Sequence, residues 1–436
     1  MNAKIPSSLL TAWSTWLALS LFYAYQLIER IIPNVVMQNI MDKYHVGAGE
    51  IGRFAGIYYV GYVAAHIPLG ILLDHFNAKK VIPICILLAV AGFAPLAYLD
   101  NFAVASYGRL LIGFGSAGAV IGSFKMFRIC FSEEKFPRML GWMVTFGLIG
   151  AVFGSGPLAN LVAYLGWVET LHYVVISGLV LAVFSYLVIP NTSSEKGFSL
   201  IAIKDDFKYL FSNKTVLVIS FLGGLMIGPL EGFADAWSSP YLRIVYQLSN
   251  EEAGYISSFV YIGMALGLIV MGYIFEKTKA YYTLIITSSV LMTICFGIVL
   301  AGIINDIFIL KTVFLVIGFF CAYQIYIVAK SIALSLEKYA TFISAISNMT
   351  MMLLGYFFHT GIGKMLHHLW DGVSVSETGS PIYSADSFSK TFAIIPVGLV
   401  IATVGFILLA YLEKRKASQT LQIPTREEPY AEDFCP

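Results

Sequence analysis

Twelve long apolar runs, separated by short polar turns, follow one another along the 436-residue chain. Each run has roughly the 20 residues that an α-helix needs to cross a bilayer. None shows the short alternation of apolar and polar residues that is typical of an outer-membrane strand. The pattern therefore predicts an all-α membrane protein with twelve transmembrane helices. The predicted spans are 10–32, 51–73, 80–99, 102–127, 139–163, 169–190, 215–238, 253–275, 281–303, 308–332, 340–366 and 390–412.

Polar segments separate these spans into two predicted domains, with a linker between them and a tail after the second. The chain is expected to hold a six-helix bundle at 1–190, a cytoplasmic linker at 191–214, a second six-helix bundle at 215–412 and a polar, disordered tail at 413–436. Residues 199–210 of the linker predict a short surface helix.

One long loop, 367–389, lies between the last two spans. It carries His367, His368, Asp371 and Asp386. This composition indicates a solvated loop, with a metal site as the alternative.

The composition excludes several classes of protein. Hydrophobic residues make up 58% of the chain and charged residues only 12%, and the mean hydropathy is +0.78. Soluble domains carry about 25% charged residues, so a soluble enzyme, a nucleic-acid binder and a disordered regulator are excluded. The cysteines show neither a disulfide framework nor a metal spacing, and no cofactor or metal is predicted. They are Cys85, Cys130, Cys295, Cys321 and Cys435.

The loop charges predict an orientation. With the N-terminus in the cytoplasm, seventeen lysines and arginines lie on the inner side and six on the outer side, as the positive-inside rule requires. An even number of spans then places both termini inside. The first run is too polar in its second half for a cleavable signal peptide. We expect a bacterial inner-membrane protein that acts as a monomer.

The two halves resemble each other when one is shifted by 202 residues. Glycines, acids and a tyrosine then recur at matching places in spans two and eight. Because secondary transporters are often built from two related halves, this indicates a parallel duplication of six spans. The shift places Glu29 on Glu231, Glu50 on Glu252, Gly52 on Gly254, Tyr59 on Tyr261, Gly61 on Gly263, Gly70 on Gly272 and Asp74 on Glu276.

The loop after span two carries a motif, Gly70-Ile-Leu-Leu-Asp74-His-Phe-Asn-Ala-Lys79-Lys80. A glycine there allows a neighbouring helix to approach closely, and the aspartate is placed to cap a helix or to pair with a cation. The motif resembles the loop signature of the major facilitator superfamily, whose fold packs twelve helices into two six-helix bundles. The resemblance implies a gating role for Gly70, Asp74, Lys79, Lys80, Gly272 and Glu276.

Two further stretches carry this resemblance. Span four contains Arg109-Leu-Leu-Ile-Gly113, similar to the family's arginine–glycine motif, and Gly147–Pro157 in span five is similar to its glycine–proline motif. Gly166-Trp167 and the stretch from Ala236 to Leu242 resemble one branch, the intraphagosomal amino-acid permeases and lysosomal dipeptide carriers. That branch implies amino acids or small peptides as solutes.

Charged and polar side chains interrupt several spans, although a charge at mid-bilayer costs about 2.5–3.5 kcal/mol on insertion scales. A polar cavity between the two bundles accommodates them together. The residues predicted to bind the solute are Tyr25, Arg30, Tyr58, Tyr62, His66, Arg109, Gln324 and Asn348. The residues predicted to carry a proton are Glu29, Glu231 and Asp235.

These residue types suit opposite charges on a solute. The two arginines attract a carboxylate or phosphate, and the acids bind a proton or an amine. Structural roles remain as alternatives: Arg30 as an interfacial anchor, Glu29 and Glu231 as partners of the two arginines, and His66 as a packing residue. Lys125 and Lys330 would snorkel to the cytoplasmic face.

We therefore predict a secondary active transporter that moves an amino acid, a small peptide or an organic anion by alternating access, with proton-coupled uptake. Export of a small metabolite, siderophore or drug by proton antiport is the alternative. A membrane enzyme, an ATP-driven pump and a channel are disfavoured, because the sequence lacks HExxH, G-x-S-x-G, the P-loop and a re-entrant filter segment. The expected partners are the solute, protons and the bilayer, without nucleic acid.

Overall fold

The computed structural model describes residues 8–192, 205 and 208–420. A π-helix, Gly228–Ala234, lies between α8 and α9, and a 3₁₀ turn, Glu337–Tyr339, precedes α14. The α-helices are α1 (Leu9–Tyr44), α2 (Ala48–His75), α3 (Ala78–Tyr98), α4 (Phe102–Cys130), α5 (Phe136–Phe153), α6 (Gly156–Leu165), α7 (Trp167–Val188), α8 (Lys214–Leu225), α9 (Ser238–Val245), α10 (Asn250–Thr278), α11 (Tyr281–Leu300), α12 (Ile307–Cys321), α13 (Gln324–Ala333), α14 (Ala340–His368), α15 (Ala385–Phe392) and α16 (Ile394–Thr420).

The described residues form ten helical segments that are long and apolar enough to cross a membrane, and the bent pair of α8 and the π-helix makes an eleventh. Helix α1 is less apolar because Gln26, Glu29 and Arg30 interrupt it. Its 36 residues nevertheless extend about 54 Å, well beyond the roughly 30 Å of a hydrocarbon core. The predicted all-α membrane fold is confirmed, with α1 as the twelfth span.

Four predicted spans are broken rather than continuous, and one of them, span twelve, divides at Ala393 between α15 and α16. Span five divides between α5 and α6, span ten between α12 and α13, and span seven bends by 45° where α8 gives way to the π-helix. Prolines account for two of the breaks, because Pro157 and Pro229 stand at the first positions of the following segment, where their missing N–H is tolerated.

The polar segments also differ from the prediction. The tail expected from residue 413 is still helical, since α16 continues to Thr420. Residues 193–204, 206–207 and 421–436 lie outside the described residues, and with them most of the predicted linker and its surface helix at 199–210.

The helices pack as an N-terminal group, α1–α7, and a C-terminal group, α8–α16. In the first, α4 packs on α2 and α3; in the second, α12 packs on α10 and α11. Glycine permits the closest crossing in each group, because a Cβ on Gly113 would lie 1.9 Å from the Tyr58 carbonyl oxygen and one on Gly318 would lie 1.8 Å from that of Val260. Two seams join the groups: α2 against α14, and α5 and α6 against α10.

Corresponding helices of the two groups also begin alike. The Glu50 carboxylate accepts the Gly47 amide at 3.2 Å at the start of α2, and the Glu252 carboxylate accepts the Ser249 amide at 3.0 Å at the start of α10. Such capping satisfies amides that a helix start leaves free. Both acids are 202 residues apart, which supports the internal repeat.

Candidate functional site

A cavity lies between the two helix groups. Its empty volume, including the part open to solvent, is about 630 Å³. Five tyrosines, three amides, one arginine and one glutamate face it, so it suits a small polar solute. The lining residues are Tyr23, Gln26, Leu27, Arg30, Tyr58, Tyr59, Tyr62, Val144 and Leu148 from the N-terminal group, and Leu230, Glu231, Tyr261, Met264, Gln324, Asn348 and Met352 from the C-terminal group.

An ion pair joins the two groups beside this cavity. Arg30 Nε lies 2.9 Å from Asp235 Oδ2, and Arg30 Nη2 lies 3.3 Å from Oδ1. The arginine side chain is 13% exposed and the aspartate 1%. Asp235 also accepts hydrogen bonds from the hydroxyls of Tyr59 and Tyr261. A buried pair of this kind persists only when further hydrogen bonds satisfy the remaining lone pairs, as the two tyrosines do here.

Arg109 supports helix α1 instead of facing the cavity, which differs from its predicted solute-binding role. Its Nη1 donates to the Glu29 carbonyl at 2.7 Å and its Nη2 to the Arg30 carbonyl at 3.2 Å. Pro33, four residues after Glu29, has no N–H to offer that first carbonyl. The Arg109 guanidinium therefore replaces a missing backbone donor, and it also lies 5.4 Å from the centre of the Tyr58 ring.

Glu29 is fully buried within the N-terminal group. Among the described residues, neither of its carboxylate oxygens accepts a hydrogen bond of ordinary geometry, although Tyr25 and Arg109 interact with it electrostatically. The Tyr25 hydroxyl donates instead to the Val174 carbonyl of α7 at 3.1 Å. Tyr25 thus lies between α1 and α7, away from the cavity where it was predicted.

Glu231 stands on the π-helix and faces the cavity. Its two carboxylate oxygens accept hydrogen bonds from Gln324 Nε2 at 3.0 and 3.2 Å. A π-helix widens one turn and is common at functional sites. Here it places Glu231 in the lining and Asp235 behind it, against Arg30.

The structure brings most of the predicted residues together. His66 is an exception: its ring packs on Tyr62 with centroids 4.7 Å apart, and its Nδ1 lies 2.8 Å from the Tyr62 carbonyl oxygen. Sequence reasoning missed three lining tyrosines as site residues. The 202-residue repeat was the available signal for Tyr59 and Tyr261, and Tyr23 had none. The predicted residues that line the cavity are Arg30, Tyr58, Tyr62, Glu231, Gln324 and Asn348.

The predicted gating residues do not join the two groups in this conformation. A Cβ added to Gly70 or to Gly272 would meet no atom of residues 8–192, 205 and 208–420 within 4 Å. Asp74 lies 4.0 Å from Lys125, which also donates to the Leu73 carbonyl, and all three belong to the N-terminal group.

The other three predicted gating residues are exposed or lie beside a residue of their own helix group. Lys79 lies 5.3 Å from the centre of the Tyr186 ring, within the N-terminal group, and Lys80 and Glu276 are exposed.

At the opposite face, which holds the α1–α2 turn and is the predicted outer face, hydrogen bonds cross between the groups. The loop 369–384 donates from Thr378 Oγ1 to Asp42 at 2.7 Å, and from Ser380 Oγ to the Met41 carbonyl at 3.0 Å. Tyr383 Oη accepts the Ala48 amide at 2.8 Å. This loop is therefore docked on α1 and α2, not simply solvated as predicted, and the groups meet at this face.

The two aspartates of the predicted loop 367–389 interact with residues close to them in the sequence. Hydrogen bonds from the Ser374 hydroxyl and from nearby amides hold the pKa of the exposed Asp371 carboxyl below its usual value, and Asp386 lies 2.6 Å from Lys390. In the part of the chain that the structure describes, no three metal-binding side chains cluster.

Comparison with known proteins gives a family and distant relatives. The model of the Major Facilitator Superfamily matches residues 15–359. A probable L-galactonate transporter of Escherichia coli (strain K12) is 23% identical over 275 residues, 59% of this chain and 60% of that protein. Human synaptic vesicle glycoprotein 2C is 27% identical over 160 residues, 36% of this chain and 21% of that protein. The chain thus matches less than two thirds of the length of either relative.

Solved structures share the fold at low identity. A bacterial homologue of the human lysosomal transporter Spinster, in an inward-facing and unoccupied conformation, has a TM-score of 0.75 at 15% identity over 92% of this chain and 97% of that one. The nucleoside transporter NupG gives 0.70 at 15% identity over 90% and 98%, and a D-xylose–proton symporter gives 0.70 at 11% over 90% and 97%. None of these comparisons confirms the branch of amino-acid permeases and dipeptide carriers.

Proposed function

The chain belongs to the Major Facilitator Superfamily, and from this premise we propose that it is a secondary transporter that takes up a small carboxylate-bearing solute together with protons. The observation that carries the proposal is the cavity between the two helix groups, with Arg30 in its lining and paired beside it to Asp235 of the other group. A site formed by both halves of a transporter can open to each side in turn when the halves rock.

The contacts between the two groups support a conformation that is closed at the predicted outer face. Hydrogen bonds join the groups at the predicted outer face, whereas Gly70 and Gly272, near the opposite ends of α2 and α10, have no close neighbour among the described residues. The cavity would therefore be closed to the outside and accessible from the cytoplasm, the side on which an imported solute is released.

The lining favours an organic anion with hydroxyl groups over an amino acid or a small peptide. Arg30 offers a planar pair of donors that matches a carboxylate, and the tyrosines and amides offer partners for hydroxyls. Glu231, which would hold the amine of a zwitterion, already accepts two hydrogen bonds from Gln324. The name of the E. coli relative, a probable transporter of L-galactonate, agrees with a sugar acid as the solute class.

Proton coupling would arise because Asp235 and the solute carboxylate compete for Arg30. While Asp235 is ionised it occupies the guanidinium, and a solute carboxylate finds no free cation. When Asp235 takes up a proton, the ion pair is lost and Arg30 can bind the solute. Glu29 and Glu231 are further candidates for proton binding, because each is a buried carboxyl within the spans.

Uptake into proteoliposomes tests the proposal. We expect labelled L-galactonate to accumulate when the lumen is more alkaline than the bath, more than labelled L-alanine or a dipeptide, and to lose this accumulation when an uncoupler is added. Arg30→Ala should reduce uptake at least about 100-fold, since a charge-assisted contact to the solute is lost. Arg53→Ala, which removes an exposed arginine of α2, should leave uptake unchanged. Uptake that ignores the pH gradient, or that survives Arg30→Ala, would contradict the proposal.

A further inference from the structure

Two tyrosines from equivalent places in the internal repeat bind the same carboxylate. Tyr59 of α2 donates its hydroxyl hydrogen to Asp235 Oδ2, and Tyr261 of α10, 202 residues later, donates to Oδ1 at 2.9 Å. Each tyrosine is almost fully buried. A duplicated residue has thus kept one hydrogen-bonding role, but the acceptor exists in one half alone, because Pro33 stands where the shift would place a second aspartate.

The two tyrosines belong to different helix groups, and this makes their contacts unequal. Asp235 and Tyr261 both lie in the C-terminal group, so their hydrogen bond does not cross between the groups. Tyr59 and Arg30 lie in the N-terminal group. Any movement that opens the predicted outer face must carry Tyr59 and Arg30 away from Asp235 and leave Tyr261 in place.

We propose that Tyr261 is a positioning residue that holds Asp235 in both conformations, whereas Tyr59 and Arg30 bind it only when the predicted outer face is closed, so that closure itself expels the proton. This inference rests on the proposed proton coupling. With the outer face open, Asp235 carries a proton on one carboxyl oxygen. On closure that O–H bond breaks, the proton passes to water in the cavity, and the carboxylate formed pairs with Arg30.

Positively charged, negatively charged and neutral titratable groups surround Asp235, and all of them affect how readily its carboxyl binds a proton. His359 belongs to this set because its ring stacks on Tyr59 with centroids 5.6 Å apart and it accepts the Trp237 indole N–H at 3.0 Å. The titratable and charged groups around Asp235 are Arg30 from α1, Tyr59 from α2, Arg109 from α4, Glu231 from its own segment, Tyr261 from α10, Cys321 from α12 and His359 from α14.

The unequal contacts give two different signatures. Because Tyr261 stabilises ionised Asp235 in both conformations, removing its hydroxyl should move the pH of the conformational change and leave the limiting populations alone. Because Tyr59 stabilises the ionised form in the closed conformation alone, removing its hydroxyl should lower the closed population at high pH and leave the low-pH limit alone.

Spin-label distance measurements across the predicted outer face distinguish these outcomes without any solute. Labels at exposed positions 164 and 308, at the outer ends of α6 and α12, would report the ratio of closed to open protein in nanodiscs from pH 5 to 9, in a background whose cysteines are replaced by serine. The wild type should close as the pH rises.

Tyr261→Phe should shift the midpoint of that change upward by about one pH unit, as expected for the loss of a hydrogen bond to a charged group. Tyr59→Phe should lower the closed-to-open ratio at high pH about tenfold, for the same reason. Tyr246→Phe is the matched control, because its hydroxyl donates to the Val299 carbonyl at 2.8 Å, inside the C-terminal group and apart from Asp235. Asp235→Asn should abolish the pH dependence, and size-exclusion profiles establish that each variant is folded.

Identical behaviour of the two tyrosine variants, or behaviour like that of Tyr246→Phe, would overturn the inference even if uptake proves to be proton-coupled. A pH-insensitive wild type would overturn it as well. If the two signatures appear but L-galactonate, L-alanine and the dipeptide are not transported, the inference stands and the proposed solute class fails.

Discussion

Span one and span seven occupy equivalent places in the two halves, yet their middles are built differently. Helix α1 runs unbroken through Glu29 and is supported from outside by Arg109. Span seven changes to a π-helix around Glu231, the residue that the 202-residue shift places on Glu29. One glutamate lies buried among helices of its own group and the other faces the cavity. Equivalent residues of a duplicated fold have thus acquired different surroundings.

The scaffold around these middles is far more alike. Glu50 and Glu252 cap corresponding helices, and a glycine makes the closest crossing in each group. The duplication has preserved what fixes helix ends and helix distances. What differs is the distribution of charge, since Arg30 and Asp235 each face a partner in the other half and neither has a counterpart in its own repeat position.

The largest effect should come from Arg109, compared with Lys311, a cation on the corresponding helix α12. Arg109→Ala leaves the Glu29 carbonyl without a donor in a buried place and removes a second donor from the Arg30 carbonyl, which should lower the free energy of unfolding by about 3 kcal/mol. Lys311 lies 5.9 Å from the centre of the Phe259 ring, and Lys311→Ala should change it by less than about 0.5 kcal/mol. Thermal unfolding in detergent measures both. Equal losses of stability in the two variants would mean that Lys311 supports its surroundings as strongly as Arg109 supports α1.

Adding a methyl group at the two glycine crossings should have the next largest effect. Gly113→Ala and Gly318→Ala each force a Cβ against a backbone carbonyl, and overpacking of this kind costs about 1–3 kcal/mol. Gly70→Ala is the control, because open space surrounds that position. Melting temperatures should fall for the first two and stay unchanged for the third. A lower melting temperature for only one of the two variants would show that the two glycine crossings do not contribute equally to stability.

The two equivalent glutamates should differ in transport. Glu231→Gln removes a charge from the cavity lining and should change the KM for a transported solute about tenfold, roughly 1.4 kcal/mol of binding free energy. Glu29→Gln, away from the cavity, should leave KM within about twofold. Initial rates of uptake at several solute concentrations supply the comparison, and similar shifts in KM would place both residues at the solute.

The smallest effect concerns the helix caps. Glu50→Ala and Glu252→Ala should each lower stability by about 0.5–1 kcal/mol, because one amide at a helix start loses its acceptor. Glu251→Ala, next to one cap but not part of it, is the control. Differential scanning fluorimetry should find similar small losses in both halves. A clear difference between them would show that one cap has a further role.

Much of the fold was accessible from the sequence, because bilayer thickness dictates the length of an apolar run. The predictions of a multi-pass membrane protein and of a chain that is not an enzyme are confirmed by the helices and the family match. The orientation, the bacterial inner membrane, the monomeric state and the division at 190 and 215 stay predictions. The breaks in spans five and seven had signals in Gly156-Pro157 and Gly228-Pro229, but a proline at a span's middle does not by itself say where a helix bends.

The site was harder to predict, because helical periodicity gives the face of a side chain but not its partner on another helix. Glu29 and Glu231 were predicted to carry a proton, with pairing to the arginines as the alternative, whereas Asp235 is the acid that pairs with Arg30. The direction of Arg109 depended on a carbonyl left free by Pro33, which no pattern of side chains reveals. Lys330 was expected to snorkel, but it pairs at 2.6 Å with Glu413 of α16, whose helix continues beyond the predicted end of the span.

The docked loop 369–384 has a consequence for the ease of opening. Its bond to Asp42 is exposed, whereas its bonds to Met41 and Ala48 are buried and exchange their partners for water only when this face opens. Each exchange costs only about 0.5–1.5 kcal/mol net. Three such bonds bias the balance between two conformations without forbidding either of them.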